Sequence, residues 1–470
     1  MSKSVKRVVK NSFFQSIGAL ILTALNLILM LGYARIYGPE SFGSLMTAQA
    51  QVLVWGWLVD LGLSQSLISA LTRAEGTKSE HVRQRFRARD LLFRVLFLRL
   101  AGSCIGCVVI ISIGLLNSHW TQSELWERAA FCPFLFAAAF LQTAIAYSSF
   151  IRRQAMAVVA QIGGVFITVL LPLWLAAHGT DLPWVLLSQS VGGFISGTVI
   201  YGIFFFESVR RRRLGTTRRI GRNLRNGNWG EEAWLALAAD AWPYCITFGV
   251  IVIWQRLDQI VVSSVLGYEQ GGQYALAVRL TAVPIVFASA VSFALFPDLQ
   301  RIGRDSPLRL RLILGAISKA IYRYGIILVA LLLVILTVVL VPVVPKFRPA
   351  LHLLPYFVPG VWAFWLQTSI VNALFGMRQY ARVVAAHLCS LAVYVPAVLL
   401  LPHWFGIQGV VWSFNLFCLS MCFFCLLAAK KAGLFQRGFT PFSAFTEEEV
   451  DLWRRAGFRS LSAFLPWRRT

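Results

Sequence analysis

Long apolar runs recur along this chain as far as residue 428, separated by short polar connections. A helix needs about 20 mostly apolar residues to cross roughly 30 Å of hydrocarbon. The runs meet that length again and again. They predict about twelve membrane-spanning helices, near 11–35, 44–68, 91–116, 128–150, 155–177, 184–206, 242–265, 274–297, 320–345, 354–376, 383–402 and 407–428. Strictly alternating segments of about ten residues, the mark of a membrane barrel, do not occur. The expected fold class is therefore all-α, a polytopic membrane protein.

One turn is written twice. Residues 34–43 read "ARIYGPESFG" and residues 266–274 read "LGYEQGGQY". Both contain Gly-x-Glu-x-x-Gly, at Gly38, Glu40 and Gly43 and at Gly267, Glu269 and Gly272. The offset, 267 − 38 = 229, is close to half the chain. Each turn follows the first span of a set of six, so the pattern predicts two six-helix lobes arranged as parallel repeats. Expected boundaries are 1–206 for the first lobe, 207–241 for a basic linker, 242–428 for the second lobe and 429–470 for a tail. Within the linker, "NGNWGEEAWLALAAD" reads as an interfacial helix, and Pro243 suits the first turn of the seventh span. A capping box from Thr446 to Glu449 opens an amphipathic segment in the tail, expected to lie flat on the membrane surface.

Charge adds orientation. The chain carries 44 Lys and Arg against 20 Asp and Glu, a net charge of +24. The basic residues concentrate at both ends and in every second loop, as in "RQRFRARD" (83–90), "RRIGRNLR" (218–225) and "RIGRDSPLRLR" (301–311). The alternate loops are nearly free of them, Lys346 and Arg348 excepted. That asymmetry predicts cytoplasmic termini and a basic face against anionic lipid. It also argues against a nucleic-acid partner, since no binding motif accompanies the charge. The first span is expected to serve as its own insertion signal, with no cleavage site.

Little in the sequence suits an enzyme. The longest extracytoplasmic loop, 117–127, is too short to fold as a domain. The eight cysteines all fall inside spans; "CIGC" and "CFFC" lack a His or a second pair to make a metal site, and read as small apolar packing residues. No phosphate-binding Gly-x-x-x-x-Gly-Lys-Ser/Thr loop occurs. No metal, cofactor or catalytic residue is expected.

Charges placed within hydrocarbon cost at least about 2.5–3.5 kcal/mol each and call for a role. Those singled out are Arg35, Asp60, Arg256, Asp258 and Arg279. Arg suits phosphate, because its planar fork donates paired hydrogen bonds and stays charged. Arg256, Arg279 and Arg35 are thus the candidates for binding an anionic group such as a lipid pyrophosphate. Arg35 also reads as an arginine at a helix end that reaches the interface, and Arg256 as one half of a buried pair with Asp60 or Asp258. Asp60 and Asp258 have two readings, proton or sodium coupling and counter-ions for the arginines. Asn11, Gln15 and Asn26 make a polar stripe on the first span, and Gln49 shares a face with Asp60 in the second. These four are the expected cavity lining.

The stretches "NSFFQSIGALILTALNLILMLGYARIYGPESFG" and "VDLGLSQSLIS", with "WPYCITFGVIVIWQRLDQIVVSSVLGYEQGGQYALAVRL" and "ALFPDLQR", carry a family resemblance. The chain resembles the polysaccharide-biosynthesis flippases (the Wzx-like group) of the multidrug/oligosaccharidyl-lipid/polysaccharide exporter superfamily. The resemblance implies two six-helix lobes in a V around a cavity with alternating access, as in MATE-like folds. It implies a lipid-linked oligosaccharide substrate, usually on undecaprenyl pyrophosphate, moved from the cytoplasmic to the outer leaflet of the bacterial inner membrane. Cavity arginines and an ion gradient are also implied. Arg35 (in "ARxxGPExFG"), Arg256 (in "RLD") and Arg279 (in "YxLAxRL") are the matching positions. Membrane lipids and polysaccharide polymerase or export proteins are the implied partners. Peptidoglycan-precursor relatives usually have two more spans, which argues against a lipid II substrate. Two rivals remain: a cation-coupled multidrug antiporter of the same fold, and a membrane glycosyltransferase or polysaccharide polymerase.

Overall fold

The computed structural model describes the backbone of residues 3–64, 81–117, 120–150, 154–213, 231–305, 307–377, 379–435 and 448. Side chains within 3–17, 81–91, 149–150, 154–155, 204–213, 231–240, 287, 290–310 and 376 are left undescribed. Asn11, Gln15, most of the basic linker and the amphipathic tail therefore lie outside the described side chains.

Every regular element among the described residues is a helix. In chain order they are α1 (Lys3–Leu53), α2 (Gly56–Asp60), α3 (His81–Leu116), α4 (Gln122–Phe131), α5 (Pro133–Phe150), α6 (Gln154–Ala177), α7 (Leu182–Arg213), α8 (Glu231–Leu266), α9 (Tyr268–Asp305), α10 (Pro307–Ala320), α11 (Ile326–Leu340), α12 (Arg348–Leu353), α13 (Val358–Gly376) and α14 (Tyr380–Lys431). Nine segments among the described residues are long and apolar enough to cross a membrane. Two of these nine bend at a glycine and hold two expected spans each: Gly18–Asp60 bends at Gly38, and Tyr380–Lys431 bends at Gly406. The expected span near 274–297 lies in α9. This is a multi-pass helical membrane protein.

The repeated turn has a backbone cause. Gly38 sits at φ 75 and ψ 178, and Gly267 at φ 88. Both have a positive φ, which an L side chain rarely adopts, so each half bends at a glycine in the matching turn. A methyl added at either position would meet nothing within 4 Å. Torsion, not crowding, is what requires glycine there.

The chain forms two compact units, Met1–Ile260 and Val261–Thr470, and it passes from one to the other inside α8. In the first unit α7 packs against α4, α5 and α6, α1 against α6, and α3 against α2 and α5. In the second, α13 packs against both α9 and α14. A π-helical turn, Ile321–Gly325, joins α10 to α11. Such a turn leaves backbone carbonyls less well served by the helix ladder, and the Trp362 indole of α13 donates to the Ile321 carbonyl at 3.2 Å.

Candidate functional site

The first unit buries a charged cluster where its second span breaks. Helix α2 is only five residues long and ends at Asp60, with Leu61 left-handed after it. Helix α3 crosses α2 very closely at Gly102. A methyl there would stand 2.8 Å from the Leu58 carbonyl carbon. Three residues before Gly102, on the same face, Arg99 reaches Asp60 with Nη2 to Oδ1 at 2.5 Å.

The guanidinium is held through its two terminal nitrogens, while its buried Nε has no hydrogen-bond partner among the described residues. Its Nη1 donates to Thr143 Oγ1 of α5 at 2.8 Å, and Nη2 also donates to Ser64 Oγ at 2.6 Å. Ser64 in turn donates to Asp60 Oδ1 at 2.7 Å. The Arg99 side chain is 0% exposed and that of Asp60 is 10% exposed. Asp60 thus has its counter-ion inside the bundle, and that partner is Arg99. Breaking such a pair by removing one member costs about 3–5 kcal/mol, because a charge is left buried alone.

Arg99 is absent from the intramembrane charges singled out by sequence. It lies eight residues into its span (99 − 91), about 12 Å along a helix. The apolar residues on both sides of it, 95–98 and 100–102, are the signal that marks it as intramembrane. The preceding "RQRFRARD" and Arg94 make it look like the trailing edge of a basic loop.

A second polar arrangement in the same unit is neutral. Gln49 Nε2 donates to Gln189 Oε1 at 3.0 Å, and Gln189 Nε2 donates to the Tyr33 hydroxyl at 2.9 Å. All three side chains are buried, which ties both halves of α1 to α7. The Gln259 side chain of α8 approaches Thr47 Oγ1 at 3.4 Å. Asp258 is buried, and its Oδ1 accepts the backbone N–H of Gln259 at 2.7 Å. Arg256, two residues earlier, is half-buried. Arg128 of α4 is fully buried: its guanidinium stacks 4.1 Å from the centre of the Trp120 ring, and Nε donates to Gln51 Oε1 at 2.5 Å.

Arg35 is exposed on α1. Asn26 is exposed and its Nδ2 donates to the Leu22 carbonyl at 2.9 Å. Arg279 is half-buried on α9, in the second unit. All eight cysteines are free thiols. Among the described residues no group of three His, Cys, Asp or Glu is placed to hold a metal.

No curated protein sequence is similar enough to this chain to count as a match. Solved structures share its fold at low identity. A mutant of the Vibrio cholerae MATE transporter VcmN superposes with a TM-score of 0.62 at 15% identity, covering 91% of this chain and 96% of the transporter. The lipid II flippase MurJ, in an inward closed conformation, gives 0.60 at 12% identity, over 91% of this chain and 88% of MurJ. The MATE multidrug transporter DinF-BH gives 0.62 at 15% identity, over 91% and 95%. These likenesses speak to the fold alone. Sequence speaks to the family: the model for "Polysaccharide biosynthesis protein" matches residues 8–302, well over half the chain, and the chain belongs to that family.

Proposed function

We propose that the protein is a flippase, moving a lipid-linked oligosaccharide from the cytoplasmic to the outer leaflet of a bacterial inner membrane for surface or secreted polysaccharide. The observation that carries this reading is the family match over residues 8–302 on a chain with the helical fold of MATE transporters and MurJ. The headgroup we assign is an undecaprenyl-type pyrophosphate. Arg256 and Arg279 are its proposed ligands, with Arg35 in a lesser role. An anion of that size stays out of hydrocarbon unless fixed cations offset its desolvation, and arginine offers paired hydrogen bonds to phosphate oxygens. With no nucleotide-binding loop in the sequence, the driving force is assigned to an ion gradient or to consumption of the substrate on the far side. Asp258 is the proposed ion-responsive carboxylate. The termini are assigned to the cytoplasm from the Lys/Arg asymmetry, and no catalytic step is assigned to the chain.

The test is reconstitution. Vesicles holding the purified protein and a fluorescent lipid-linked oligosaccharide should expose the sugar to an impermeant quencher faster than protein-free vesicles. Arg256→Ala and Arg279→Ala should lose most of that rate, and the lysine variants should recover part of it. Vesicles that move organic cations, and leave the sugar lipid where it was, would refute the flippase reading in favour of a multidrug antiporter.

A further inference from the structure

Two cations stand on the face that the basic residues otherwise avoid. Lys346 and Arg348 fall in the connection between α11 and α13, on the side that the Lys/Arg asymmetry makes extracytoplasmic. Nothing in the surrounding sequence neutralises them, since residues 306–446 contain no Asp or Glu. Both are exposed, and so is His352. Arg348 and His352 are four apart on α12 and share a face. Tyr356, four residues further on in the short turn Leu354–Phe357, is 50% exposed. Glu269 of α9 is exposed as well, and among the described residues it forms no ion pair with Lys346, Arg348 or His352.

The segment is fixed from within and flanked by aromatic rings. Gln273 of α9 holds it at two points: its Nε2 donates to the Lys346 carbonyl and its Oε1 accepts the Ala350 N–H, both at 3.1 Å. Phe347, Leu351, Leu354 and Phe357 are buried beneath. Asn415 of α14 donates to the Tyr356 carbonyl at 2.7 Å, which joins the segment to the part of α14 that follows the bend at Gly406. Trp412, three residues before Asn415 on that helix, is exposed and meets Phe405 with ring centres 4.7 Å apart. Phe405 and Trp404 are exposed too. Aromatic rings gather at headgroup depth, and α11 gives the same level. Val338 and Val339, in its last turn, present exposed apolar side chains suited to hydrocarbon, and Lys346 follows soon after.

We propose that Lys346, Arg348 and His352 hold the phosphate of an anionic phospholipid in the extracytoplasmic leaflet, with Tyr356, Phe405 and Trp412 beside its glycerol and upper chains. Arginine donates paired hydrogen bonds to phosphate oxygens. Lysine adds a point charge, and a histidine ring offers an N–H in either charge state. A soluble phosphate would need the cations alone. The exposed rings joined to them fit a ligand that is anionic at one end and apolar at the other. Cations on this face run against the insertion bias, and a bound headgroup supplies the counter-charge that the sequence omits. The site belongs to the second unit and needs no transported substrate, so it stands or falls apart from the flippase reading. The side assigned to the termini decides only which leaflet supplies the lipid.

The experiment places the photocrosslinker p-benzoylphenylalanine at Pro349, an exposed position between Arg348 and His352. Full-length protein is irradiated in nanodiscs of phosphatidylcholine with a minor share of phosphatidylglycerol, and mass spectrometry counts the lipid adducts. The ratio of phosphatidylglycerol to phosphatidylcholine adducts should exceed the ratio in the bilayer about fivefold or more, the scale of one basic residue near an anionic surface. Lys346→Gln with Arg348→Gln should bring the enrichment close to one, and Arg348→Lys should keep part of it. These side chains are exposed, and matched melting temperatures check that the variants fold. The same probe at Leu116, 87% exposed at the end of α3, should show no enrichment. Equal enrichment at both positions would mean attraction to the basic protein as a whole and overturn the proposal. So would no enrichment at position 349, or enrichment that survives the double variant. Loss of the enrichment on adding inorganic phosphate at constant ionic strength would give the site to a soluble anion instead. Displacement by a trace of undecaprenyl phosphate would give it to the transported lipid, and either result overturns the assignment to phospholipid.

Discussion

Replacing Gly102 by alanine tests how closely α3 and α2 must approach for the buried pair to form. The added methyl would stand 2.8 Å from the Leu58 carbonyl carbon and closer still to its oxygen. Both are backbone atoms, so neither rotates aside. Carbon–carbon contacts settle at about 3.5–4.0 Å, so α3 has to retreat by roughly 1 Å. Arg99, one turn away, retreats with it, and its 2.5 Å bond to Asp60 stretches to roughly 3.5 Å, at the edge of hydrogen bonding. Overpacking costs about 1–3 kcal/mol. The charged hydrogen bond is worth about 1.5–3 kcal/mol. Alanine's helix propensity offsets about 1 kcal/mol, leaving a net loss of about 1.5–5 kcal/mol. Gly163→Ala is the control, because a methyl there meets nothing within 4 Å and the residue is exposed on α6. Melting temperatures of the two purified variants in one detergent should move in different directions, down for Gly102→Ala and unchanged or up for Gly163→Ala. If Gly102→Ala melts with the wild type, the close crossing is not what places Arg99.

Three further outcomes are expected. Gly38→Ala and Gly267→Ala should each lose about 1–3 kcal/mol from torsion alone; equal thermal stability of both variants and the parent would refute the turn argument. Arg128→Met gives up a cation–π contact worth about 0.5–2 kcal/mol and leaves Gln51 without its donor. It should lower the melting temperature by more than Arg128→Lys does, and the reverse order would show that charge alone matters at that site. In a double-mutant cycle, Gln49→Leu and Gln189→Leu should couple by about 0.6 kcal/mol, the usual size for side chains bonded across membrane helices; strictly additive effects would mean the bond is not formed in the membrane.

Much of this architecture can be read from the apolar runs, because a membrane helix declares itself by length and composition over some twenty residues. The paired turns can be read too. Gly38 and Gly267 stand where the backbone needs a positive φ, and only glycine meets that need cheaply. Gly102 and Gly62 are different. Glycine is common in membrane helices, and no pattern near these two announces that another helix's backbone lies against them. That information resides in the crossing of elements far apart in the chain.

The charged cluster divides along the same line. Ser64, four residues after Asp60, stays within hydrogen-bond reach of it, at 2.7 Å, so the short-range half of the network is visible in sequence. Arg99 lies 39 residues away on another helix, and its burial comes from the approach at Gly102. An intramembrane carboxylate announces that a partner exists, because the cost of leaving it bare is too high. It does not announce which cation answers. Here three arginines drew notice as charges inside predicted spans, while Asp60 found a fourth whose basic neighbours disguised its depth. The better rule for such chains counts depth from the start of the apolar run instead of distance from the basic loop. By that rule Arg99, about two helical turns inside, belongs with the intramembrane charges, and Asp60 had a cation at comparable depth on the very next span.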